Sequence, residues 1–182
     1  MNFGIGLFYG WIFILLFGIA NLLLMKVYPK HYTKRLFTLP TFTNSKEKML
    51  SLFYALVMNL TMIAICFLPL RMGVFFFIGL VIYSVSLLCI VIALCTYAKT
   101  EPDKPVTGGI YKLSRHPQQV FTCIMLVGIG FMLISPVIII SGIVQLFLIY
   151  PSLLAQEKFC IERYGDNYSK YLSTSPRYFL FF

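Results

Sequence analysis

Apolar runs alternate with polar connectors along this chain of 182 residues, at Phe3–Met25, Leu50–Leu70, Gly73–Ala98, Val120–Ile134 and Pro136–Ala155. A helix needs about 20 apolar residues to cross a bilayer, so this pattern predicts five membrane-spanning helices and one all-α domain over residues 1–182. The fourth run is short for a full crossing and is expected to be tilted or covered by its neighbours. The connectors "PLRMG" and "SP" predict two helical hairpins, one formed by the second and third runs and one by the fourth and fifth. The first run lacks the basic start of a cleaved leader and reads as a retained helix, with Gly6 and Gly10 spaced for ordinary close packing. Residues 26–49, broken by Pro29 and Pro40, read as a basic loop or interfacial segment.

Composition agrees with the pattern: 59% of residues are hydrophobic and 12% charged, well below the ~25% charged residues of soluble domains. The five cysteines are odd in number and lack metal-ligand spacing, which predicts neither a disulfide framework nor a metal site. No Asp, Glu, Lys or Arg interrupts an apolar run, which argues against an ion-coupled transporter. Asn59 and Gln145 remain as intramembrane polar groups, expected to hydrogen-bond between helices.

The net charge of +9 sharpens the topology rather than suggesting nucleic acid. Six Lys and Arg lie in residues 26–49, four in 99–119 and four in the tail, leaving only Arg71 for the other side. Five helices with the N-terminus outside and the C-terminus in the cytoplasm satisfy that partition. It places the loop "VTGGIYKLSRHPQQVF" and the tail "QEKFCIERYGDNYSKYLSTSPRY" on one face, beside apolar hairpins and anionic headgroups.

These two segments are where chemistry can reside. Gly108 and Gly109 permit unusual backbone angles, and Pro117 suits the first turn of a helix. His116 then falls at a helix N-terminus, which favours an anion, although Arg115 and His116 serve equally well as headgroup anchors. In the tail, Glu157 and Glu162 lie on a helical continuation that Gly165 ends. Glu157 is costly at that depth without a partner, and Glu162 is spaced to pair with Lys158. Tyr164, Tyr168 and Tyr171 are placed either as interfacial anchors or as ring faces for a cation.

The run G-G-I-Y-x-x-x-R-H-P, a helical hairpin, and then E-x-x-x-x-x-x-Y-G-x-x-Y-x-x-Y-x-x-x-x-P-R resembles the isoprenylcysteine carboxyl methyltransferase family and its phospholipid methyltransferase relatives, over residues 70–178. The resemblance implies a membrane methyltransferase that uses S-adenosylmethionine, bound by the loop and tail on the cytoplasmic face. It assigns cofactor binding to Tyr111, Arg115, His116, Pro117, Gln119, Glu157, Tyr168 and Tyr171, and catalysis to Arg177 and Glu157. The cofactor's carboxylate suits Arg115 and His116, its diol and ammonium suit Glu157, and its sulfonium suits a tyrosine face. Three positions depart from the family pattern: Gln119 replaces a tyrosine, Gln156 the first of two glutamates, and Ser175 the valine of Val-Pro-Arg.

The expected reaction is methyl transfer to a lipophilic acceptor entering from the bilayer, foremost a carboxylate of the prenylcysteine kind, with a phospholipid amine or lipid hydroxyl as alternatives. A membrane reductase using NADPH and a lipid-binding scaffold are rival readings. The first would bind the nicotinamide cofactor, and the second would tolerate alanine at His116 and Glu157. A compact chain leans toward a prokaryotic membrane.

Overall fold

The computed structural model describes residues 9–28 and 44–178. Its helices are α1 (Trp11–Val27), α2 (Ser45–Cys66), α3 (Val74–Lys99), α4 (Pro117–Met132), α5 (Pro136–Leu148), α6 (Tyr150–Tyr164) and α7 (Asp166–Thr174), with a 3-10 turn at Gly109–Lys112. The described residues contain no strand, so the backbone groups of the apolar runs are satisfied mostly within helices. Three helical stretches are long and apolar enough to cross a membrane: α2, α3, and the nearly continuous α5–α6. Helices α1 and α4 are apolar but shorter, and the chain is a multi-pass membrane protein.

Helix α4 is the axis of the bundle. Val120, Cys123, Met125, Leu126, Ile129 and Met132 are all buried, so its surface is covered from several directions, which is how so short a helix is accommodated. It crosses α3 at a glycine pair: a Cβ added at Gly79 would overlap the Gly128 carbonyl, and one added at Gly128 would come within 2.9 Å of the Gly79 carbonyl. Small residues at a crossing let helices approach to backbone contact, which is how dispersion holds them together in lipid. On the other side α4 and α5 form the second predicted hairpin, with Gly130 against Ile139 and Gly142 against Val127.

The first predicted hairpin is corrected. Residues 67–73 join α2 to α3, but α3 packs on α4, and α2 lies against α1, α5 and α6. Side chains explain the divergence. Thr61 on α2 is 2.7 Å from Ser141 on α5, Gln145 donates to Thr61 at 3.3 Å, and Ser152 donates to Ser51 at 2.8 Å. Gln145 thus bonds between helices as expected, whereas Asn59 donates to the carbonyl of Ala55 within its own helix.

Residues 45–49 also belong to α2 rather than to a loop, and Lys26 belongs to α1. Asn44 caps α2 by accepting from the Lys46 amide at 3.0 Å, and Glu47 in the first turn complements the helix dipole. Glu47 also receives the Lys158 ammonium at 3.2 Å, so the ion pair expected between Lys158 and Glu162 is replaced by a longer-range one that ties α2 to α6. Residues 29–43 of the expected basic segment, and Gly6, lie outside the described residues. Gly10 is described, and a Cβ there would meet Ile65 at 2.6 Å, so it allows the chain to approach the end of α2.

Candidate functional site

The loop and the tail meet at one end of the bundle, while the Arg71 amide bonds to Met132 at the opposite end of α4. After α3 the chain turns through Gly109, whose φ of +57° is a left-handed conformation suited to glycine. The 3-10 turn buries Tyr111, and His116 becomes the N-cap of α4 with Pro117 at its first position. In the tail, Gly165 at φ +54° ends α6 as expected, and α7 runs back along the loop.

Residues 175–178 then lie across the loop. The Arg115 amide donates to the Pro176 carbonyl at 2.9 Å, Arg115 Nε to the Ser175 carbonyl at 2.8 Å, and Ser114 Oγ to the Arg177 carbonyl at 2.8 Å. Tyr178 anchors the end of this segment by donating to the Leu146 carbonyl at 3.0 Å.

Beneath this segment the cationic side chains converge on Glu157, which is 5% exposed. Arg115 Nη1 and Arg177 Nε donate to its Oε1 at 2.9 Å, and Arg177 Nη2 donates to Oε2 at 2.7 Å. His116 Nε2 lies 3.3 Å from Oε1, a contact that requires a proton on Nε2. Burial pushes the His116 imidazole below its ordinary range, and this outweighs the pull of the neighbouring carboxylate. The hydrogen bond to Glu157 raises the Arg177 guanidinium above its usual value, despite some desolvation. The cluster therefore holds two guanidiniums against one carboxylate, a surplus of one positive charge in a largely dry site.

The other site residues expected from sequence fall into two groups. Gln119 and Gln156, both departures from the family pattern, meet each other: Gln119 Nε2 donates to Gln156 Oε1 at 3.4 Å. Tyr111, Tyr168 and Tyr171 form a second buried cluster with Ala93 and Val106, behind the charged one. Tyr171 donates to the Tyr111 carbonyl at 2.6 Å, and burial pushes its phenol up to about 12. These rings join the 3-10 turn to α7, so their faces pack against protein. Tyr164 is also in a framework role, with its hydroxyl 3.4 Å from the Pro102 carbonyl.

Three contributors escaped the sequence reading. Tyr150 stacks under Arg177 at 5.1 Å and shares a 3.2 Å bond with its Nη1, Ser114 orders the loop, and Tyr178 anchors the tail. The only signal for Tyr150 was a hydroxyl at the end of an apolar run next to Pro151; nothing in the spacing marked Ser114.

S-adenosylmethionine has complementary chemistry for this donor set. Glu157 Oε2 has one partner and spare acceptor capacity, and the surplus guanidinium charge suits one further carboxylate. No curated protein sequence matches the chain. A family model described as phospholipid methyltransferase matches residues 74–167, from the start of α3 into α7, and so includes Arg115, His116 and Glu157 but stops before Arg177. That model covers more than half of the chain, which therefore belongs to the phospholipid methyltransferase family, the integral-membrane methyltransferases that include the isoprenylcysteine carboxyl methyltransferases.

Proposed function

We propose that the chain transfers a methyl group from S-adenosylmethionine to the carboxylate of a lipophilic acceptor, of the prenylcysteine kind, that enters from the bilayer. The observation that carries this reading is the surplus positive charge at Glu157. Two partly buried guanidiniums facing one carboxylate favour an anionic acceptor over a cationic one beside Arg177, while Glu157 Oε2 keeps spare acceptor capacity for the cofactor.

The cofactor supplies an electrophilic methyl group on a sulfonium. The chain's own task is alignment and exclusion of water. Arg115 and His116 take the cofactor's carboxylate, and Glu157 accepts from its ammonium or ribose hydroxyls through Oε2. Pro117, Tyr111, Tyr168 and Tyr171 fix the walls, and Gln119 with Gln156 lines the side toward α4. Arg177, held flat by Tyr150, orients the acceptor's carboxylate in a bidentate pair. A carboxylate acceptor needs no general base. An ammonium acceptor needs one, and here Glu157 is engaged by guanidiniums while His116 is buried against it. By the excess of lysine and arginine at this end, the site faces the cytoplasm.

A second reading, methylation of a phospholipid amine, is favoured by the family's own description. Incubation with methyl-labelled cofactor and native lipid extract separates the two. Mild alkali releases labelled methanol from a methyl ester and leaves an N-methyl group in place. Arg177→Ala should lower the rate by at least about 100-fold, in the range seen when one preorganised donor is removed. Calorimetry that found no binding of S-adenosylmethionine or its demethylated product would overturn both readings.

A further inference from the structure

A cavity of about 470 Å³ opens between the end of the 3-10 turn and the outer face of α7. Thr107 and Lys112 line it from the loop; Asn167, Lys170 and Thr174 line it from the helix, one turn apart on a single face. Tyr171 and Ser175 also contribute to its lining. The lining has two ammoniums, several hydroxyls and an amide, and no carboxylate. Neither lysine is in an ion pair among the described residues, whereas Lys104 and Lys158 each have an acidic partner.

This chemistry does not suit S-adenosylmethionine, which carries a sulfonium and an ammonium against one carboxylate. It suits a compact anion with several acceptor oxygens. We propose that the cavity binds a phosphate group, either from a lipid headgroup at the basic end of the bundle or from a soluble phosphate ester. The site lies outside the Glu157 cluster but shares its supports. Ser175 accepts from Arg115 Nε at 2.8 Å, and the Tyr171 hydroxyl donates to the Tyr111 carbonyl at 2.6 Å. An anion that draws Lys112 and Lys170 together clamps the loop to α7, the two elements that lead into Arg115 and Arg177.

The test uses the full chain in alkyl maltoside micelles, which contain no phosphate, and its readout is the thermal unfolding midpoint, independent of methyl transfer. One arm is titrated with glycerol 3-phosphate; the other is doped with phosphatidylglycerol. At ten times the dissociation constant the midpoint should rise by about 3–6 °C. A rise in the soluble arm identifies a free phosphate ester as a sufficient ligand, and a rise only in the doped arm identifies the headgroup. K112Q/K170Q should lose the response, while K99Q/K104Q, which removes the same charge elsewhere, keeps it. Both pairs are exposed, so folding is spared. A flat wild-type response in both arms, or equal responses from the two double variants, overturns the proposal.

Discussion

Removing the Glu157 carboxylate should destabilise the protein more than removing either arginine, because it strands two partly buried guanidiniums together. The side chains of Arg115, Glu157 and Arg177 are 11%, 7% and 18% exposed, so solvent screens them little. Breaking a buried ion pair from one side costs about 3–5 kcal/mol. Glu157→Ala should therefore lose about that much, or roughly 6–20 °C in unfolding midpoint for a chain of this size. Arg177→Met leaves Arg115 and Glu157 as a neutral pair but takes from Oε2 its one donor, and should lose about 1–3 kcal/mol. The combined Glu157→Ala/Arg177→Met variant should be more stable than Glu157→Ala alone, because one of the two stranded charges has gone. The assay is thermal unfolding of all three variants in one neutral detergent, arranged as a double-mutant cycle. Additive losses, with the double variant the least stable, would refute the view that surplus charge governs this site.

Three further outcomes follow from other contacts. Because burial depresses the His116 pKa, the unfolded chain binds a proton near pH 6.5 that the folded chain refuses, so stability should fall as pH drops below about 6.5. His116→Gln should remove that part of the pH dependence in unfolding midpoints measured from pH 7.5 downward. Gly79→Ala should cost about 1–3 kcal/mol by forcing α3 off α4, seen as a lowered midpoint, whereas Gly18→Ala, with open space around it, should be nearly neutral. Tyr171→Phe leaves the Tyr111 carbonyl without its buried donor and should cost about 1–3 kcal/mol, with the loop around residues 105–113 becoming the first site of limited proteolysis.

The membrane architecture was legible because hydropathy and the distribution of lysine and arginine are one-dimensional properties. They identified the apolar runs, the α4–α5 hairpin and the shared face of loop and tail. Partner choice was not legible. Lys158 stands four residues before Glu162, but α2 begins early enough, under the Asn44 cap, to present Glu47 instead. Likewise, position along the chain singled out Arg115, His116 and Glu157, and the family resemblance added Arg177, but neither could show that three of them attend the fourth. The pairing of Gln119 with Gln156 is a related case. Each looks like a lost function in the linear sequence, and together they form an amide contact from α4 to α6.

The segment over the site is held by its carbonyls. Arg115 and Ser114 bind the main-chain oxygens of residues 175, 176 and 177, and those oxygens exist whatever side chain is attached. A valine in place of Ser175 would present the same carbonyl to Arg115, so this contact does not depend on the side chain at 175, whereas Arg115, which reads the backbone with its side chain, has no such latitude. Mutational scanning of this end of the molecule should therefore show unequal tolerance across one interface, permissive at Ser175 and strict at Arg115.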